Sequence, residues 1–203
     1  MLHKLHRMSA IVIGAYVLVH ILNHLVALGG VPTHIAFMEG FRHVYRFLPV
    51  EILLLVCVTY QVGSGIRFVV KRWGQRRGFF DRLQAISGGY IAFFLGVHVS
   101  AVLVGRISGL DTNFYFAAAG MHIFPVYFFF VPYYFLAVSA FFAHIACAFV
   151  WLARKRVADR KRNRIAYGII SVGLAIAGII ALTFAGGFYV VEIPAEYAAT
   201  YQG

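Results

Sequence analysis

Long apolar runs alternate along the chain with short polar segments. Runs of roughly 20 or more residues occur at about 9–29, 50–70, 84–105, 123–152 and 165–190. A hydrocarbon core about 30 Å thick takes about 20 residues of helix. The pattern therefore predicts an all-α integral membrane fold of five spanning helices. The fourth run is longer than that thickness needs, so its helix tilts or projects, and Pro132 within it predicts a kink. The fifth run is rich in small residues and reaches no charge before Glu192, which suits a packing element. No small-residue cleavage site follows the long first run, so no cleavable signal peptide is expected.

The segments between runs also carry a pattern. Ser9 stands where it could cap the first helix after the basic entry "MLHKLHRM". The loop "GGVPTHIAFMEGFRHVYRFLP" is long enough for a surface helix whose Phe, Tyr and Arg suit the interface, and Pro49 closes it. The loop "GRISGLDTNFYFAAAGMHIFPV" has the same character. When Ser9-Ala10 is laid on Ser87-Gly88, His20 falls on His98; one slipped residue later, Thr33 falls on Thr112, Phe37 on Phe116 and His43 on His122. Residues 7–70 and 85–152 thus read as a degenerate repeat of two helices each, with a fifth helix at about 165–190, all in one membrane domain spanning 1–203. Two repeats inserted in parallel are related by an axis near the membrane normal. His20 and His98 then stand at equal depth on opposite sides of one interior, as two axial ligands of one planar macrocycle must.

Composition excludes a soluble domain: of 203 residues, 62% are hydrophobic and 12% charged. The net charge of +11 is a topology signal. Lys4, Arg7, Arg67, Lys71, Arg72, Arg76, Arg77, Arg82 and the seven basic residues of 154–164 lie on one side, leaving Arg42, Arg46 and Arg106 opposite. The positive-inside rule then puts the N-terminus in the cytoplasm and the C-terminus outside, as in a bacterial inner membrane. Anionic lipid headgroups are the expected partners of the basic loops, and nucleic acid is not. Cys57 and Cys147 lie toward opposite ends of their helices, which excludes a disulfide between them. No phosphate-binding glycine loop, nucleotide-binding fold or Ser-His-Asp arrangement is present.

The imidazoles carry the remaining chemistry. At about 1.5 Å per residue, His20 is roughly 20 Å from Arg7 and His98 roughly 24 Å from Arg82, both in the outer half. His144 and Gln61 occupy an inner level, roughly 15 Å from the basic ends of their helices. His24 lies one turn outward of His20 on the same face and competes with it as ligand. His34, His43 and His122 belong to the outer loops or helix ends. A buried neutral imidazole can also simply hydrogen-bond across helices, but two at matched repeat positions favour ligation of a haem iron. Gly14, Gly63, Gly88, Gly89 and Gly96 would let a flat macrocycle approach the backbone. For His144 the alternatives are a second haem, or a hydrogen bond to a propionate, a quinone or Gln61. A proton path for quinone chemistry could use His6, Arg7, Ser9 and Arg67 inside, or His24, His43 and His122 outside.

The segment "RLQAISGGYIAFFLGVHVSAVL" resembles the haem-binding helices of the membrane cytochrome b subunit of succinate:quinone oxidoreductases and quinol:fumarate reductases. Five spans, an inside N-terminus and one His on each of several helices are similar to its single-subunit, two-haem type. The resemblance covers residues 5 to about 152. It implies a four-helix bundle plus one helix, binding haem b and exchanging electrons with a membrane quinone. It also implies an outer haem on His20 and His98, and an inner haem on the second and fourth helices. There His144 matches, but Gln61 stands in place of a histidine. The opening "LHRMS" is similar to the quinone-site segment of related anchor subunits, which makes Arg7 and Ser9 candidates.

Two imidazoles on one iron leave no open position for O₂, which favours reversible one-electron exchange. With no flavin or iron–sulfur motif, the chain cannot oxidise succinate alone; flavoprotein and iron–sulfur subunits are the expected soluble partners, and small-residue faces such as "GIISVGLAIAG" permit a homo-oligomer. The competing readings are a haem-free transporter or assembly factor, and a stand-alone cytochrome linked to superoxide or quinone.

Overall fold

The computed structural model describes residues 1–76 and 78–201; Arg77, counted above among the basic loop residues, lies outside them. The described residues are helical throughout, with no strand: α1 (Leu2–Val26), α2 (Val31–Tyr45), α3 (Leu48–Arg72), α4 (Phe79–Ile107), α5 (Phe114–His122), α6 (Tyr127–Ala153), α7 (Asp159–Phe184) and α8 (Ala195–Ala198). Among them, α1, α3, α4, α6 and α7 are long and apolar enough to cross a membrane. Their outer faces expose Ile11, Val56, Val104 and Leu152, a lining that suits lipid and not water.

Three boundaries differ from those read in the sequence. Nothing between Met1 and Ser9 breaks a helix, so α1 starts at Leu2 and Ser9 lies inside it, its hydroxyl donating to the Leu5 carbonyl. Ser9 is therefore not a cap. The fourth spanning helix starts at Tyr127, after a cis Phe124–Pro125 bond. The fifth ends at Phe184, not near 190, because Gly186 takes φ +79° and turns the chain back. Pro49 falls in the first turn of α3, as its position in the sequence predicts.

Packing follows chain order around a ring: α1 on α3, α3 on α4, α4 on α6, α6 on α7, with α7 returning to touch α1. Helices α1 and α4 are therefore not neighbours and face each other across the interior. The two loop helices seal one end of the ring. Buried Phe114, Ala118 and Met121 of α5 pack with Ile21 of α1, with Ala27 just after it, and with Ile180 and Phe184 of α7, while α2 turns His34 and Met38 inward. Tyr189, on the segment after α7, donates to the Ala27 carbonyl at 2.7 Å. Two of the three basic residues expected on this side find acids: Arg42 bridges Glu39 (2.7 Å) and Asp111 (2.8 Å), and Arg106 pairs with Glu51, while Arg46 donates to Thr112 Oγ1 at 3.2 Å.

The most extensive helix contact, α6 on α7, depends on Gly173, where an added Cβ would run into the Phe142 ring. Gly178 on the same helix has open space. Gly173→Ala should cost about 1–3 kcal/mol of stability through overpacking, whereas Gly178→Ala should not destabilise; unfolding of both variants in detergent, followed by circular dichroism, measures the difference.

Candidate functional site

Helix α1 places His20 and His24 one turn apart on its inward face, and α2 adds His34, the most enclosed of the three. The side chains form an unbroken hydrogen-bonded chain. Asn23 Nδ2 donates to His34 Nε2 at 3.1 Å, His24 Nδ1 meets the same nitrogen at 3.3 Å, and His24 Nε2 meets His20 Nε2 at 3.1 Å. His34 Nδ1 and Asn23 Oδ1 are buried atoms with no partner among the described residues. Phe184 stands edge-on to both His24 and His34, at 5.0 and 5.7 Å between ring centres. Helix α7, expected only to pack, thus supplies a wall of the cluster.

Across the interior, α4 presents His98. Its ring stacks on Phe94 at 5.0 Å and meets Tyr134 of α6 edge-on at 6.3 Å, while Tyr16 stacks on His20 at 5.7 Å. The ring centres of His20 and His98 are 6.2 Å apart. An imidazole nitrogen sits about 2.0–2.1 Å from a bound transition metal with its ring centre about 1.1 Å behind, so two axial imidazoles on one iron hold their centres about 6.2 Å apart. The separation of the ring centres matches that spacing, with His20 Nε2 turned toward His24 Nε2. Among the described residues no three His, Cys, Asp or Glu side chains are arranged to hold a bare ion.

At the opposite end of the bundle a second polar group gathers. His6 Nδ1 meets Ser64 Oγ at 2.7 Å, and His144 Nδ1 meets Ser87 Oγ at 3.2 Å. Gln61, which the sequence set opposite His144, turns instead to α1 and donates to Ser9 Oγ at 3.0 Å and to the His6 carbonyl. Gly88 has a different use from the one read in the sequence: an added Cβ would lie 3.0 Å from the His144 ring, so the glycine makes room for the protein's own histidine. At Gly14, Gly63, Gly89 and Gly96 an added Cβ meets nothing. Arg7 lies over the Trp151 ring at 4.8 Å, joined there by Arg154 at 5.0 Å.

The remaining candidates are not brought into either group. Arg67 is exposed on α3. His43 is exposed beside an open depression lined by Glu39, Arg42, Arg46 and Phe47. His122 donates from Nε2 to the Phe184 carbonyl at 2.8 Å, tying α5 to the end of α7. His34 and Asn23 are the members that the sequence reading passed over. The signal was present: His34, Met38, Phe41 and Tyr45 recur at helical spacing, which marks the inward face of α2. No protein-family model, curated protein or solved structure matches the chain.

Burial, with a smaller contribution from the charge of His20, pushes the His34 imidazole from 6.5 down to about 4. The unfolded chain therefore binds the extra proton between those values and the folded one does not. The stability contributed by neutral His34 is complete above pH 6.5 and is lost as pH falls toward 4. Thermal unfolding from pH 7 to 4 should show this loss in the wild type and a flatter profile in His34→Phe; equal slopes would refute it.

Proposed function

We propose that the chain is a multi-pass b-type haem cytochrome that exchanges electrons with a membrane quinone, with His20 and His98 as the axial ligands of a haem. The observation that carries this reading is their ring separation of 6.2 Å from two helices that face each other across the bundle. Neither residue alone distinguishes a ligand from a packed histidine; the spacing favours the ligand.

Held by His20 and His98, the group would supply reversible one-electron transfer. The rest follows from the chain's own side chains. His20 would hold the group as a neutral imidazole, and His24, whose Nε2 lies 3.1 Å from His20 Nε2, is its hydrogen-bonding neighbour. Phe94 and Tyr16 hold the two rings by stacking, so the imidazole planes are set by the protein. Phe184, Phe114 and Ala27 close that end against water. The arrangement keeps the site apolar, with polarity confined to the nitrogens that serve it.

The wider reading rests on the same proposal. Helices α1 to α6 form the degenerate repeat, with α2 and α5 as its corresponding surface helices. The basic loops lie on the cytoplasmic side of a bacterial inner membrane, against anionic lipid. The chain serves as the membrane anchor of a succinate dehydrogenase or fumarate reductase-like complex, with flavoprotein and iron–sulfur subunits binding at the basic face. Arg7, Ser9 and Arg67 on that face, and His43 and His122 on the other, are the quinone-site candidates. A haem-free membrane protein is the second reading, and it is supported by the chain of hydrogen bonds from Asn23 to His20, which engages those imidazoles without any ligand.

A dithionite-reduced minus oxidised spectrum of the detergent-purified protein, with pyridine haemochrome quantitation, separates the two. The expected result is a sharp b-type α-band with at least one haem per chain, and loss of one equivalent in His98→Ala and in His20→Ala. Absence of haem from protein made with adequate haem supply would sink the cytochrome reading and favour the haem-free one.

A further inference from the structure

At the end of the bundle sealed by α2 and α5, Arg42 and Arg106 meet carboxylates. At the opposite end Arg162 pairs with Asp159 at 3.0 Å, and Arg76 folds back to donate to the Phe68 and Val69 carbonyls at 3.0 Å. Arg7 and Arg154 have no such partner: among the described residues no carboxylate lies within ion-pair distance of either. Both guanidinium groups instead lie over one ring, that of Trp151, at 4.8 and 5.0 Å from its centre.

An indole face attracts a cation but carries no net charge to cancel it. Two guanidinium groups held against the same ring therefore repel each other at short range, and no described carboxylate balances them. They come from different elements: Arg7 from the second turn of α1, Arg154 from the C-terminal end of α6. Those two helices are not neighbours in the ring. What completes the pair must carry negative charge and reach both groups at once. A phosphodiester does so, because each guanidinium presents a planar fork of donors that matches two phosphate oxygens.

The surroundings select the carrier of that phosphate. Trp151 is 42% exposed, and the residues that follow Arg7 and Trp151 along their helices, Met8 and Leu152, are 55% and 61% exposed. An amphipathic ring near the end of a membrane-length helix, with bare apolar side chains beside it, is the pattern of the headgroup level of a bilayer. A small soluble anion would leave those side chains in water, whereas the acyl chains of a lipid cover them.

We infer that Arg7, Trp151 and Arg154 form a discrete binding site for the phosphate of an anionic phospholipid, one headgroup shared between α1 and α6. The inference rests on the reading that the basic end lies against anionic lipid and deepens it, because diffuse attraction by basic loops gives way at this one place to a site with named residues. It does not depend on haem.

The chain has two tryptophans, so Trp73→Phe leaves Trp151 as the single indole reporter. The full chain with that change is reconstituted in phosphatidylcholine vesicles that contain phosphatidylglycerol, with bromine on the acyl chains of one lipid or the other, and Trp151 emission is read. Brominated phosphatidylglycerol should quench more strongly than brominated phosphatidylcholine at the same mole fraction. Arg7→Gln and Arg154→Gln should each lower that preference about fivefold. Arg160→Gln removes an exposed cation of the same end that does not touch the indole, and should keep it. Arg7 and Arg154 are exposed as well, so their substitution leaves the packed interior intact. Preference retained in both Arg7→Gln and Arg154→Gln would overturn the site and leave the general attraction of the basic end to anionic lipid standing. No preference in any form would overturn both. Loss of the preference on adding inorganic phosphate at constant ionic strength would reveal a site for free phosphate and overturn the assignment to lipid.

Discussion

A buried imidazole has two nitrogens to satisfy, and leaving one unpaired in a low-dielectric interior costs on the order of 1–3 kcal/mol. Most of the arrangement of this molecule follows from that constraint. The nitrogens of His24 and one nitrogen each of His20 and His34 are engaged by one another and by Asn23, so α2 is drawn down against α1 by polar contacts as well as apolar ones. His6 and His144 are held at one nitrogen each by serines, and those serines are themselves committed to backbone carbonyls one turn back. His6, His24 and His144 are thus each oriented by a side chain of a neighbouring helix.

The two ends of the bundle solve different problems. At the end sealed by α2 and α5, aromatic rings do the enclosing: Phe114 stacks on Phe184 at 4.4 Å, and both stand edge-on to His34. Charges there are paired across elements, Arg42 with Asp111 and Arg106 with Glu51, which binds the loops to the helices they cover. The basic end is built differently. Hydroxyls and amides line the interior, and the guanidinium groups of Arg7 and Arg154 rest on an indole and not on carboxylates.

The small residues divide in a similar way. Gly173 and Gly120 are there because a helix or a ring from another element lies against the backbone. Gly88 serves a histidine, and Gly186 serves a turn. These four glycines have four distinct local causes, and none is apparent from the frequency of glycine in apolar helices.

Five membrane-length helices and a helix in the first long loop were legible in the sequence, because each depends on local properties such as run length and spacing. The nearness of His20 to His98, whose ring centres are 6.2 Å apart, also agrees with the equal depth read for them in the sequence. What the sequence could not supply was direction around each helix axis relative to a third element. His34 was read as a loop residue, and only the descent of α2 onto α1 makes it a neighbour of His24. Gln61 and His144 share a depth, but the rotation of α3 turns Gln61 toward Ser9, and His6 is left as the imidazole near His144. Depth along a helix is a one-dimensional count that the sequence determines by itself; which side chains meet at that depth depends on how the helices are rotated and packed, and only the tertiary structure decides that.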